Sequence, residues 1–169
     1  MCYTFPMKQL SFLQENMSIT SCAFTGHRVL EKDFSLKKLK KQTESLILSG
    51  VHTFYNGMAE GFDLLAAKMV LALKKKFPYL RLIACIPCYN QEKYFSADSK
   101  KDYVKILSAC DEKVYLSQTY HKGCMLNRNK YMVDHADCLI AYCKKETGGT
   151  AFTVNYFKKT KNVENMYLL

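Results

Sequence analysis

The sequence predicts a single α/β domain built as three layers, a mainly parallel sheet flanked by helices. Three observations carry this reading. From Ile19 onward, short apolar runs alternate with amphipathic stretches of helical period, the pattern of repeated βα units. One run, Leu80 to Ile86, is almost wholly apolar, as expected of a strand covered on both faces. The chain has 169 residues, 49% of them hydrophobic and 24% charged, which is the size and balance of one globular domain with no need for a second core.

Residues 1–17 are unpatterned and read as an N-terminal extension, leaving 18–169 as the domain. The first strand is expected over Ile19–Phe24 and ends in Thr25-Gly26-His27-Arg28. Ser35 is a cap candidate for a helix whose apolar face is Leu36, Leu39, Thr43, Leu46 and Ile47, and Ser49-Gly50 stops it. A second strand, Val51–Tyr55, leads through Asn56-Gly57 into a helix from about Glu60 to Lys76 with Phe62, Leu65, Met69 and Leu73 as its buried stripe. Pro87 ends the third strand, because proline cannot donate to a ladder. Ser99-Lys100-Lys101-Asp102 has the form of a capping box opening a helix with Tyr103, Ile106, Leu107 and Cys110 on one face.

Val114–Leu116 is read as a short fourth strand. A helix over 122–136 then carries Met125, Met132 and Val133 inward, and Cys138–Tyr142 forms a fifth strand. Gly148-Gly149-Thr150 opens a last helix with Ala151, Val154 and Phe157 facing the core, and Val163–Leu169 supplies an edge strand.

The formal net charge is +10, but 22 of the 25 basic residues are lysines, concentrated on the polar faces of the expected helices. A solvated surface accounts for them more simply than a polyanion-binding face. Arg28 and Arg128 are more informative, because both lie in motif segments and a planar guanidinium suits two-point contact with phosphate or carboxylate. No apolar run approaches the roughly 18–20 residues of a membrane span, and the N-terminus lacks the order of a secretory signal. A cytoplasmic protein with reduced, buried thiols is therefore expected. Cys85-Ile86-Pro87-Cys88 suggests a redox or zinc site only on its spacing. A second C-x-x-C is missing, and no helix starts at the first cysteine to acidify it, so neither metal nor cofactor is assigned.

In a parallel sheet the ligand site lies beyond the carboxyl ends of the strands, where helix N-termini offer free N–H groups. Three segments are expected there: Thr25, Gly26, His27 and Arg28; Gly57, Met58, Ala59, Glu60 and Gly61 with Asp63; and Gly148, Gly149 and Thr150. Arg128 and Asn129, early in the fourth helix, face either the crevice or water. Glycines four apart at a strand-to-helix turn let the backbone approach a ligand. They match neither the G-x-G-x-x-G dinucleotide pattern nor a Walker loop. Thr150 either caps its helix or touches phosphate. His27 is placed to contact a ligand or orient a base.

Taken in order, TGHR, GMAEGFD, the IPC segment with Gln91, GCMLNRNKYMVD, ADCLIAY and GGTAFTV resemble the YpsA-like branch of the SLOG superfamily, over about Met17 to Tyr156. The resemblance implies a Rossmann-like fold and a nucleotide-type ligand. In the wider superfamily it points to phosphoribohydrolases, to single-stranded DNA binding of the DprA kind, and to recognition of ADP-ribose-derived signals in antiphage defence. The phosphoribohydrolases carry a glutamate after the glycine-rich loop, whereas Gly148-Gly149-Thr150-Ala151-Phe152-Thr153 holds no acid. Glu60 and Asp63 are then the candidate acids for hydrolysis. The reading reached from sequence is a domain that senses or sequesters a nucleotide-derived small molecule such as an ADP-ribose-type signal. Nucleotide hydrolysis and DNA binding are the alternatives, and DNA is the less favoured because no stacking groove of interleaved aromatic and basic residues stands out. Tyr94, Phe95, Tyr156 and Tyr167, without an obvious core role, suggest that copies of the chain associate.

Overall fold

A computed structural model describes residues 18–169, so the extension read over 1–17 lies outside the described residues. Eleven elements follow one another: β1 (Ser21–Gly26), α1 (Leu36–Leu48), β2 (Thr53–Asn56), α2 (Phe62–Leu73), β3 (Arg81–Ile86), α3 (Ala97–Ala109), β4 (Glu112–Tyr115), α4 (Cys124–Asp134), β5 (Cys138–Tyr142), α5 (Gly149–Thr160) and β6 (Met166–Leu168). The sheet runs β4-β3-β2-β1-β5-β6 and every pairing is parallel.

The strand order follows from which face each helix covers. Alternation along β1 sends Cys22 and Phe24 to one side, where they pack with Leu39 and Ile47 of α1, Phe62 and Val70 of α2 and Ile106 of α3. Ala23 points the other way, toward Met132 and Val133 of α4 and Val154 and Phe157 of α5. The first four strands therefore step outward in one direction beneath α1, α2 and α3. The chain then crosses back through α4 and continues on the other side of β1. The reversal falls between β1 and β5, which pair in register from Cys22 with Cys138 to Gly26 with Tyr142. In a Rossmann-like sheet the loops part at this point and leave a crevice above it.

Most elements lie within a few residues of their expected bounds, and the departures have local causes. Ser35 caps α1 by accepting from Lys38 N at 3.2 Å, but Leu36 stays half exposed because it sits before the helix reaches the sheet. The box at Ser99 is not a cap. Ser96 caps α3 instead, accepting from Ser99 N at 3.3 Å, and Asp102 lies mid-helix in an ion pair with Lys68 of α2. The helix thus begins earlier than its polar signature suggested. Thr25 and Gly26, expected in a loop, complete β1.

At the opposite end of the sheet from the crevice, Asp137 ties β5 to β1. Its Oδ2 accepts from Thr20 N, Thr20 Oγ1, Ser21 N and Ser21 Oγ at 2.8 to 3.1 Å. Partial burial pushes this carboxyl up, and the four donors more than reverse that, leaving it below its ordinary value. Its contribution is therefore present above the unfolded-state value and lost as pH falls through the lowered one. Asp137→Ala is expected to cost about 2 kcal/mol at neutral pH, measured by urea unfolding, with a smaller loss in acid.

Candidate functional site

The crevice above the β1–β5 junction has a volume of about 430 Å³. Its floor is the end of β1, Thr25 and Gly26, with His27 and Arg28 rising from the loop that follows. Gly149 and Thr150 at the start of α5 form one wall, Ala59 and Asp63 another, and Met125, Leu126, Arg128 and Asn129 of α4 close the third. Four segments drawn from the stretch between Thr25 and Thr150 thus meet at the same edge of the sheet.

Glycine fits this edge for specific steric reasons. A Cβ at Gly26 would run into the Phe62 ring, and one at Gly61 would strike the backbone of Arg28 in a conformation, φ +86°, that L residues rarely adopt. The close approach at Gly61 lets Phe62 N donate to His27 O at 3.1 Å, locking α2 against the β1 loop. Gly148, at φ +96°, turns the chain into α5 without a side-chain cap. The first N–H groups of that helix are left at the mouth of the crevice, where its dipole is positive.

Arg128 is the unusual residue. It is 95% buried, and its Nη1 donates to Gly57 O while its Nε donates to Asn129 Oδ1 at 2.7 Å. Gln91 joins the same cluster, donating to Gly57 O at 3.3 Å and Met58 O at 2.6 Å. Asn129 extends it to α5, donating to Gly149 O at 3.2 Å. The β2, β3 and β5 loops are thereby tied to α4 by one polar network. Burial pushes the Asp63 carboxyl up to about 6, with Arg128 and the N–H of Ala59 pulling it back. Burial also lowers Arg128 from its ordinary value, while the nearby Asp63 pulls it up.

The remaining side chains have defined partners. Thr150 Oγ1 donates to Gly26 O at 2.9 Å, clasping α5 to β1 rather than capping its own helix. His27 Nε2 accepts from Lys144 N at 2.8 Å, and burial, followed by Lys145, lowers its pKa. It is therefore a neutral ring whose Nε2 lone pair is used. Lys144 Nζ reaches Asp33 at 2.7 Å, so the β1 and β5 loops are stapled across the rim. Arg28 is exposed and takes part in none of the ion pairs among the described residues.

Of the residues expected at the site, Gly57, Met58, Gly61 and Gly148 support the crevice without lining it. Gly57 packs against Arg128 and Asp63, and Met58 is wholly buried with φ 56°. Glu60 points away. Its Oε1 accepts from Ser96 N and Oγ at 3.0 and 2.9 Å, which holds its pKa low, and it borders a second, neighbouring groove. Of the two candidate acids, Glu60 is engaged by Ser96 outside the crevice, whereas Asp63, though 95% buried, lines the crevice wall.

Met125, expected in the core, instead lines both cavities, in the first turn of α4 beside the buried Cys124. Cys85 and Cys88 are buried, and burial pushes the Cys85 thiol up to about 12, so the C-x-x-C offers no thiolate. Of the four aromatics read as marking self-association, Phe95 and Tyr167 pack against the core, whereas Tyr94 stays exposed. Tyr94 and Phe95 border the second groove, and Tyr156 donates to Asp134 at 2.9 Å.

The sheet order and the crevice at its reversal define a Rossmann-like domain with a polar cleft. The chain belongs to the YspA SLOG family, whose model matches residues 27–169. The SPbeta prophage-derived protein YoqJ of Bacillus subtilis is 32% identical over 136 residues, covering 73% of this chain and 80% of that protein. A UPF0398 protein of Halalkalibacterium halodurans is 29% identical, covering 76% of this chain and 69% of its own length. Among solved structures, DNA processing protein A of Helicobacter pylori superposes with a TM-score of 0.60 at 19% identity, covering 96% of this chain and 68% of that one. The Streptococcus pneumoniae protein, DprA, gives 0.59 at 18% identity, covering 89% and 50%. At these identities the likeness is one of fold. No helix among the described residues is long and apolar enough to cross a membrane.

Proposed function

We propose that the crevice binds a nucleotide-derived small molecule and that the protein senses or sequesters this ligand. The observation that carries the reading is the convergence, at the β1–β5 reversal, of an uncapped α5 N-terminus, the unpaired Arg28 and the buried Arg128–Asp63 cluster around one polar cavity. Free N–H groups of α5 and the Arg28 guanidinium take phosphate. Asp63 and Asn129 take ribose hydroxyls. A binding role is favoured over hydrolysis because the α5 turn holds no acid and Glu60 is spent on Ser96.

Calorimetry with ADP-ribose, its cyclic forms and common nucleotides tests this directly. Arg28→Ala is expected to weaken ADP-ribose binding ~10-fold or more, the scale of one charge-assisted contact. No heat with any of these ligands, on folded protein, would remove the reading.

The reading also fixes a pH dependence. The ligand's anionic charge near Asp63 raises its pKa further, outweighing the lowering by a ribose hydroxyl donor, so binding takes up a proton and affinity strengthens as pH falls toward about 6, levelling off below it. ADP-ribose is the suitable probe because its pyrophosphate is diesterified and does not itself titrate there. About tenfold tighter binding at pH 5 than at pH 8 is expected, and Asp63→Asn should flatten the profile. A flat profile in the parent protein would show that Asp63 does not feel the ligand's charge.

DNA binding is the second reading, favoured by the formal charge of +10 and by the fold shared with a protein whose single-stranded DNA binding has been described. It predicts an oligonucleotide gel shift at low salt that disappears steeply as salt rises.

A further inference from the structure

Beside the crevice lies a larger groove of about 720 Å³, and Arg28 and Met125 border both. Its chemistry differs from that of its neighbour. Tyr89, Tyr94 and Tyr120 line it with Lys93, and all four side chains are exposed. Tyr94 is 86% and Tyr120 71% exposed, far beyond what a tyrosine serving the core would show. Lys93 Nζ sits 5.3 Å from the Tyr94 ring centroid.

The groove is built, not incidental. Tyr89 is stacked on Tyr115 of β4, centroids 4.5 Å apart, which fixes the face it presents. The next residue, Asn90, adopts φ 59°, a left-handed conformation uncommon outside glycine, and so turns the chain to bury Gln91. Gln91 then bonds Gly57 O and Met58 O, fixing the tyrosine-bearing loop to the crevice wall. Glu60 fastens the far end of that loop through Ser96. Aromatic faces beside cations are the surface on which nucleobases stack.

We infer that crevice and groove form one bipartite site for a two-ended, pyrophosphate-linked nucleotide, with a ribose-phosphate end in the crevice, Arg28 at the pyrophosphate and the nucleobase on the tyrosines of the groove. This rests on the proposed function and goes further by naming the second half of the ligand. The crevice alone has room for a sugar phosphate. A ring system continuing past Arg28 enters the only neighbouring cavity that shares that residue among those described.

The test compares ADP-ribose with ribose 5-phosphate, two probes sharing the crevice end and differing in the groove end. Calorimetry on the parent protein and on a Tyr94→Ala/Tyr120→Ala double variant, whose two side chains are too exposed to matter for folding, separates the halves. ADP-ribose should bind at least ~10-fold more tightly than ribose 5-phosphate to the parent, and the double variant should lose that advantage while holding ribose 5-phosphate unchanged. Because the chain has no tryptophan, tyrosine emission reports stacking directly, and ADP-ribose should quench it in the parent more than in the double variant. Equal affinities for the two probes, or a double variant that binds ADP-ribose like the parent, overturn the bipartite site while leaving the crevice reading intact. Failure of both probes to bind instead removes the crevice reading itself. Displacement of ADP-ribose by a short oligothymidylate at equimolar nucleotide concentration would show the groove to serve a polymer, and would likewise overturn the assignment.

Discussion

Arg128→Ala is expected to destabilise the protein by about 3–5 kcal/mol at pH 8, the cost of leaving a buried partner charge uncompensated. The side chain is 95% buried and supplies the donors for Gly57 O and Asn129 Oδ1 as well as the positive charge near Asp63. The loss has a pH signature. Asp63 already titrates at about 6 in the folded protein, above its ordinary value, so the parent loses stability as pH rises from about 4 to about 6 and then levels off. Without Arg128 the folded-state pKa moves higher still, and the decline continues to higher pH. The gap between parent and variant should therefore be smaller at pH 5, where Asp63 is protonated in both, than at pH 8. Urea unfolding midpoints at the two pH values measure it, and an equal loss at both would mean that Arg128 acts through its hydrogen bonds alone. Arg128→Lys should recover only part of the stability, since one ammonium on a flexible stem cannot serve both acceptors in the guanidinium's fixed geometry.

Gly61→Ala should cost about 3 kcal/mol, a drop of roughly 10 °C in melting temperature for a domain of this size. Two penalties combine there: a positive φ of +86°, and a Cβ that meets the backbone of Arg28, which cannot move aside as a side-chain tip can. Gly148→Ala is the control. Its φ is +96° but nothing lies within 4 Å of the added Cβ, so only the conformational cost applies, about 1–2 kcal/mol. Thermal melts followed by circular dichroism compare the two. Equal losses would mean that the contact with Arg28 relaxes and that the α2 start is not packed as tightly as the geometry requires.

Much of the fold was legible because the period of the apolar residues changes between strands and helices, and because this sheet is buried on both sides. Cys138–Tyr142 appears as a strand with those bounds, and Ala151, Val154 and Phe157 are the core face of α5. Helix starts were less legible. Ser99 carries the polar signature of a cap, yet Ser96 is the cap, because a serine three residues earlier also precedes a helical run and sequence alone gives no backbone dihedral. Met125 looked like a core residue on spacing, but its neighbour Cys124 takes the buried position in that first turn and Met125 lines the cavities.

The aromatic groove was missed although part of its signal is local. Tyr89, Lys93, Tyr94 and Phe95 fall within seven residues, interleaving rings and charge. Tyr120 and Arg28 come from distant loops, and only the turn at Asn90 and the anchor at Gln91 place the group together.

By itself the sequence determined the class of fold, the glycine turns at the strand ends, and the two arginines worth following, because these depend on local periodicity and on residue types with restricted chemistry. Tertiary structure alone decided that β1 and β5 are neighbours, that Arg128 is buried beneath the crevice while Arg28 stands free at its rim, and that Glu60 turns toward Ser96. Those outcomes depend on which strands pair and how closely their loops approach, and the energies that settle them come from contacts between residues far apart in the chain.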